Sequence, residues 1–429
     1  MRILIVGSGG REHALAWKIA QSPLVKKIYC APGNAGIAGV AECVPLRSSD
    51  IEGLLKFAEE NQIDLTVVGP EDPLILGIVD RFESKGLRIF GPSADPARIE
   101  GSKAFSKHLM QTANIPTADY RVCESAISAN AYLHEYYALH GADFPVVIKA
   151  DGLAAGKGVI VAQNSEEARN AIHRMMSERV FGDAGAQVVI EECLFGEEAS
   201  IMAITDGVTV LPLLPSQDHK RIGEGDTGAN TGGMGAYTPV PACPPSIVQL
   251  AMTQILEPAV AAIGELGLPY QGVLYAGIMI TESGLKTIEF NCRLGDPETQ
   301  VVLPMLQSDL VPLLIAVTDC TLDKQQPKWR SGAATTVVAA SKGYPAHYET
   351  GKVITGLDSA ALQENCVVFH AGTRFEGDEV VTDGGRVLSV TGLGASIMDA
   401  VANAYVGMSH LNFEGMTYRK DIAYRALRG

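Results

Sequence analysis

No two of the eight cysteines are spaced as Cys-x-x-Cys; they stand at 30, 43, 123, 193, 243, 292, 320 and 366. That scatter gives neither a disulfide framework nor a zinc spacing, and free thiols in a reducing compartment are the expectation. The nine histidines form no His-Glu-x-x-His pattern. Positive charge is in short supply: 34 Lys and Arg face 49 Asp and Glu, a formal net charge of −15. So acidic a surface repels phosphate backbones and argues against a nucleic-acid partner. It still permits a small phosphorylated substrate, which needs only a local cluster of donors. Long apolar runs are missing too. Met1 to Val6 ends at Gly7, too short for a signal peptide, and Val311 to Val317 cannot span a bilayer. The chain therefore reads as soluble and cytoplasmic, with no membrane partner. At 47% apolar and 19% charged residues over 429 positions it can bury a large core, divided among two to four domains.

Residues 1–100 alternate short β-branched runs (Ile3–Val6, Ile28–Ala31, Leu65–Val68, Leu87–Phe90) with helical periodicity near 11–21, 51–61 and 74–85. Such alternation predicts a parallel sheet with crossover helices, whose ligands sit at the carboxyl ends of the strands. From about 144 the pattern changes. Val146–Ala150 and Val159–Val161 flank a glycine-rich loop and predict a hairpin. A helix at 165–177 and a strand at 188–191 follow, then strands at 199–204, 208–214, 273–280 and 286–290, with a helix at about 246–265. This section reads as α+β with mainly antiparallel strands. Beyond 325 a second β-rich unit is expected, with strands at 334–340, 366–371 and 386–391 and a helix at 395–409.

The loop Gly7-Ser8-Gly9-Gly10-Arg11-Glu12-His13 joins a strand to a helix and offers backbone N–H groups to an anion. A dinucleotide fingerprint would need glycine at 12, where Glu12 stands, and an acid about 20 residues on; none occurs between Glu12 and Glu42. A phosphate or carboxylate site, or a tight turn without a ligand, are the readings that fit. The loop Asp151-Gly152-Leu153-Ala154-Ala155-Gly156-Lys157-Gly158 departs from a P-loop at both ends, and a strand rather than a helix follows. Folded over a triphosphate, its N–H groups and Lys157 would still bind phosphate, with Lys149 pointing at the same oxygens. Ile190 to Glu198 supplies strand-edge backbone for an adenine and a carboxylate, Glu198, for ribose hydroxyls; an ordinary acidic turn is the alternative. In Thr287 to Gln300, Glu289 and Asn291 share one strand face while Phe290 points into a core. A carboxylate and an amide oxygen are hard ligands suited to magnesium, and Arg293 adds a planar fork for a carboxylate or phosphate. The stretch from Ser216 to Gly235, including Asp226 and Asn230, is too long and glycine-rich for a simple turn and reads as a functional loop.

Together these strings resemble the phosphoribosylamine–glycine ligase family of ATP-grasp enzymes. The match is carried by Gly7 to Leu15, Ile148 to Gly158, Ser216 to Arg221, Asn230 to Tyr237, Ile288 to Gln300 and Phe369 to Thr373, and extends from residue 1 to about 425. The resemblance implies an N-terminal parallel α/β domain over 1–104. It implies an ATP-grasp domain over 105–325 with a mobile lid at about 123–193, and a β-rich α+β C-terminal domain over 326–429. It implies ligation of glycine to 5-phosphoribosylamine at the expense of ATP, with Mg²⁺ or Mn²⁺, by a monomer. Lys103, Lys149, Gly152, Gly156, Lys157 and Gly158 would hold ATP phosphates. Glu191, Glu192, Leu194 and Glu198 would hold adenosine, and Glu289 and Asn291 the metal. Arg293, Gly295 and Asp296 would lie near glycine, with Arg293 and Lys149 as catalytic groups. Gly9, Gly10, Asp218 and Lys220 would face the phosphoribosylamine. Many superfamily members carry a third acidic metal ligand on the preceding strand; Gly272 to Ile280 contains no acid. Another ATP-grasp ligase or carboxylase, and a nucleotide-binding protein without turnover, are the alternative readings.

Overall fold

The computed structural model describes residues 1–152 and 158–428. The N-terminal strands form one parallel sheet in the order Glu42–Cys43, Lys27–Pro32, Arg2–Gly7, Leu65–Val68, Ile89–Phe90. Ile3 to Val6 are fully buried, because helices cover both faces of a parallel sheet and leave no solvent side. Helices Gly10–Ile19 and Ile51–Glu60 match the periodicity. The single helix expected over 74–85 is instead two, Glu71–Ile75 and Ile78–Glu83, separated at Gly77 with φ +86°, a conformation that favours glycine.

Four antiparallel strands make the central sheet, in the order Val210–Pro212, Glu197–Thr205, Gly272–Thr281, Gly284–Asn291. The helical stretch Pro245–Glu265 is long and apolar enough to cross a membrane by composition alone. Its Ala251, Ile255, Leu256, Ala259 and Ile263 are buried in the same core as Ala276 and Ile278 of that sheet, so the apolar stripe is spent on packing. The apolar run 311–317 likewise lies within the buried helix Leu310–Thr318.

A separate four-stranded sheet, Tyr120–Cys123, Val188–Glu192, Val146–Ala150, Val159–Ala162, carries helices Ala126–His140 and Ser165–Ile172. Val146 to Lys149 pair antiparallel with Ala162 to Val159, the hairpin expected from the glycine loop. Leu133, Ile148, Ile172 and Ile190 close a core of its own. In the C-terminal sheet, Ala333–Ser341, Arg386–Gly394 and Cys366–His370 are joined by Gln217–Asp218 and Gly235–Thr238. Strand pairing therefore crosses residue 325, and it carries the 216–235 stretch to the junction of the sheets.

Candidate active site

Strand Gly284–Asn291 buries Phe290 to 3% exposure and thereby aims Glu289 and Asn291 the opposite way. They border a cleft of about 200 Å³ together with Lys103, Lys149, Lys220 and Arg293. Gly152 and Gly158, the described ends of the glycine hairpin, line the same cleft; Gly156 and Lys157 lie outside the described residues. A second compartment of about 370 Å³ continues from it, lined by Glu192, Cys193, Leu194 and Glu198. Lys149, Glu191, Lys220 and Glu289 border both. A polar cleft rich in cations thus runs into a more apolar one, the sequence of surroundings a triphosphate joined to a purine requires.

The lysines are held in place by one carboxylate. Glu191, 3% exposed, lies 2.9 Å from Lys149 Nζ and 2.8 Å from Lys107 Nζ. Lys149 also donates to the Ile288 carbonyl at 3.0 Å, and its ammonium, with three donors, keeps capacity for a ligand. Lys107 donates to Thr117 Oγ1 at 2.7 Å. Burial, partly offset by Glu191, lowers the Lys107 pKa to about 8. Lys103 donates to the Gly152 carbonyl at 2.9 Å, and burial lowers its pKa as well. The Glu191 backbone is paired on both sides, to Tyr120 and to Val147. Glu192 is engaged with Asp119 through both its N–H and its carboxylate. Backbone past the strand end, at Cys193 and Leu194, is what the segment leaves for an adenine edge. Glu198 forms an ion pair with Lys220 at 2.7 Å.

Glu289 makes no hydrogen bond or ion pair among the described residues. Burial opposes its ionisation, but Lys220, Lys149, Lys103 and Arg293 outweigh burial and hold its pKa below the ordinary value. A half-buried, ionised carboxylate without a partner, two positions from an amide oxygen, fits a hard divalent cation whose other ligands are water and phosphate. Among the described residues no group of three or more His, Cys, Asp or Glu could hold a metal by itself. Arg293 is clamped by Glu71 at 3.0 Å and Glu100 at 2.9 Å, and its Nη2 donates to Asn291 Oδ1 at 3.3 Å. Burial raises the Glu100 pKa. Burial also works to raise that of Glu71, but Arg293 and Arg11 bring it down to about 2.

The N-terminal glycine loop is filled from within. Gly9 N–H donates to Glu12 Oε2 at 2.5 Å and Arg11 N–H to Asp296 Oδ2 at 3.4 Å. A Cβ on Gly9 would lie 2.9 Å from Glu12 Oε2, and one on Gly10 2.5 Å from Gln300 Nε2. Those glycines admit carboxylate and amide groups against the turn. Neither borders the cleft; Asp296, their neighbour, does. A Cβ on Gly295 would collide with the Glu298 carboxylate. Asp218 and Lys220 line the cleft beside Glu298 and Tyr275. Asp226, from the same long loop, is anchored instead to Arg419 at 2.8 Å and to Tyr424 and Arg425 at 2.5 Å.

Lys107, Glu71, Glu100, Tyr275 and Arg425 escape the sequence reading, and Glu298 is given no role in it although it stands in the string Thr287 to Gln300. Of the first five, Lys107 alone had a local signal, four positions after Lys103 on helix Lys103–Thr112 and so on its face. Glu71, Glu100, Tyr275 and Arg425 reach the cleft from distant segments.

Gly152 and Gly158 bordering a lysine-lined cleft, opposite a strand that brings Glu289 and Asn291 to it, define an ATP-grasp enzyme. Models of phosphoribosylglycinamide synthetase match the chain in three parts: the N domain over residues 1–100, the ATP-grasp (A) domain over 101–299 and the C domain over 334–425. The chain belongs to that family. It is 52% identical over 430 residues to a phosphoribosylamine–glycine ligase of Nostoc, covering 99% of each chain. With that of Escherichia coli O157:H7 it shares 50% over 431 residues, covering 100% of this chain and 99% of the relative. The crystal structure of phosphoribosylamine–glycine ligase from Thermotoga maritima superposes with a TM-score of 0.83 at 34% identity, covering 99% of this chain and 100% of that one. A biotin carboxylase from Campylobacter jejuni, at 15% identity and a TM-score of 0.73 over 97% of this chain and 92% of that one, shares the fold.

Proposed function

We propose that this chain joins glycine to 5-phosphoribosylamine with hydrolysis of ATP, giving glycinamide ribonucleotide, ADP and phosphate through glycyl phosphate. Its family supports the reaction, and one observation carries the assignment of the site. The partnerless carboxylate of Glu289 and the amide of Asn291 share a cleft with Lys103, Lys149 and Arg293.

The residues divide the work as follows. Lys103 and Lys149 neutralise ATP phosphates, with Gly152 and Gly158 beside them. Leu194 and its neighbours read the adenine edge, and Glu198 is placed for the ribose. Glu289 and Asn291 would hold Mg²⁺ or Mn²⁺, which would supply charge neutralisation at the phosphates. Arg293, kept rigid by Glu71 and Glu100, orients the glycine carboxylate for attack on the γ-phosphate, with Gly295 and Asp296 alongside. Asp218 and Lys220 face the phosphoribosylamine; Gly9 and Gly10 shape that side by seating Glu12 and Asp296. Catalysis is positioning and charge neutralisation, with no covalent enzyme intermediate. The enzyme acts as a cytoplasmic monomer with no nucleic-acid or membrane partner, built from units over 1–104, 105–325 and 326–429.

The test is phosphate release with ATP, glycine and freshly made phosphoribosylamine, dependent on all three. Glu289→Ala is expected to lower turnover by at least about a hundredfold, the scale of removing a key electrostatic group, while the fold survives. Near-normal activity in that variant would take Glu289 out of the metal site.

A further inference from the structure

Asp218 sits at the end of the two-residue strand Gln217–Asp218, paired with Ala236. It is 8% exposed and lines the cleft that holds Glu289, Asn291 and Arg293. Its carboxylate makes no hydrogen bond or ion pair among the described residues. The strand itself is pinned: Gln217 Nε2 donates to the Glu198 carbonyl, Tyr237 OH donates to Gln217 Oε1, and Arg425 donates to the Asp218 carbonyl at 3.4 Å. So the backbone is fixed while the carboxylate is left open to the cleft.

The neighbouring acids are used differently. Glu298 accepts from Tyr275 OH at 2.9 Å and from Ser200 Oγ at 3.3 Å, and Glu198 pairs with Lys220. A nearly buried carboxylate with no partner costs free energy unless something in the working cycle meets it.

We infer that Asp218 is the general base that takes the proton from the phosphoribosylamine nitrogen as it attacks the acyl carbon. The inference rests on the glycyl phosphate reading above. The nitrogen lone pair forms the C–N bond and the carbonyl electrons move to oxygen. One N–H proton passes to the Asp218 carboxylate. The tetrahedral carbon re-forms its carbonyl, the carbon–oxygen bond to phosphate breaks, and the departing phosphate recovers the proton from Asp218.

Charge around the group suits the exchange. Burial raises the Asp218 pKa, Lys220 and Arg425 lower it, Glu298 and Glu198 raise it, and the balance lies at about 7. A base that releases its proton as readily as it takes it works best near the ambient pH.

Hydroxylamine separates this step from the one before. It captures an acyl phosphate without an enzymic base, so ATP- and glycine-dependent hydroxamate reports carboxylate activation alone. Asp218→Asn is expected to keep hydroxamate formation within about threefold and to lose glycinamide ribonucleotide formation by about 10²–10⁴-fold, the range for general-base catalysis. Equal loss in both assays, or loss in neither, overturns the role. So does a raised metal requirement for hydroxamate formation, which would make Asp218 a metal ligand. Wild-type enzyme that makes glycinamide ribonucleotide but no hydroxamate would count against glycyl phosphate itself, leaving the Asp218 result to be read separately. Should the variant fold poorly, the wild-type pH profile decides. The amide-forming rate is expected to fall below about pH 7, while hydroxamate formation, corrected for free hydroxylamine, stays flat; parallel profiles overturn the proposal.

Discussion

At the scale of single residues, the cleft is governed by which charges are already spent. Glu191 pairs with two lysines, and its loss would leave both buried ammonium groups unmatched, costing more than the pairs gain. Lys107 is the informative member, because it borders the cleft and also reaches Glu191 and Thr117. Lys107→Met keeps most of the side-chain volume and leaves Glu191 to Lys149 alone. Lys149 would then be held more tightly by the carboxylate and offer less charge to phosphate. The KM for ATP is expected to rise roughly tenfold, the effect of losing about 1.5 kcal/mol from a charged hydrogen bond, with a smaller change in kcat. Steady-state kinetics with ATP varied would show it; an unchanged KM would mean Lys107 only supports the fold. Sequence reading found Lys149 because it stands on the strand entering a glycine hairpin. It placed Glu191 beside adenosine, and the pairing with Lys107 was not legible because that lysine comes from a helix eighty-four positions earlier.

Among the elements, strand Gly284–Asn291 shows what was legible and what was not. Alternation alone placed Glu289 and Asn291 on one face and Phe290 on the other, since the side-chain period of a strand is two. The hairpin 146–162 was equally legible, because a strand rather than a helix followed its glycines. The helix expected over 74–85 was not, since apolar periodicity continues through Gly77 although the chain turns there. Nor was the arrival of Gln217–Asp218 and Gly235–Thr238 in the C-terminal sheet, because pairing of such short strands is decided by distant partners. The alternation also makes a quantitative demand. Phe290 is the anchor that keeps two ligands aimed at the cleft, packed in the core with Ala276 and Leu274. Phe290→Ala is expected to cost about 3–5 kcal/mol of stability, and to weaken metal dependence of turnover at temperatures where the chain remains folded. Urea denaturation and a Mg²⁺ titration of activity measure the two effects. A variant as stable as the parent would show that the ligands are fixed from elsewhere.

Across the whole molecule, the N-terminal and C-terminal parts meet at a contact no local pattern foretold, although both strings were visible: Gly9-Gly10-Arg11-Glu12-His13 and Phe369-His370-Ala371-Gly372-Thr373. Asn34 donates to the carbonyls of Ser8 at 2.8 Å and His370 at 2.9 Å, and His370 N–H donates to His13 Nδ1 at 2.7 Å. The two imidazoles lie 5.6 Å apart between ring centres, both buried. Burial, with the neighbouring His370, lowers the His13 pKa to about 3, and burial lowers that of His370 to about 4. Both are therefore neutral in the folded chain down to about pH 4, while in the unfolded chain they take up protons from about pH 6.5. Between those limits the unfolded state binds more protons, so stability falls as pH falls, by up to about 1.4 kcal/mol per pH unit for each imidazole. Above pH 7 neither contributes a slope, and below about pH 3 the penalty is fully developed. His13→Gln can still accept the His370 N–H through its amide oxygen and removes one of the two titrations. Between pH 7 and pH 5 the urea midpoint of the parent is expected to drop further than that of His13→Gln. Equal drops in the two proteins would place the acid sensitivity in the carboxylate pairs of the cleft rather than at the docked ends of the chain.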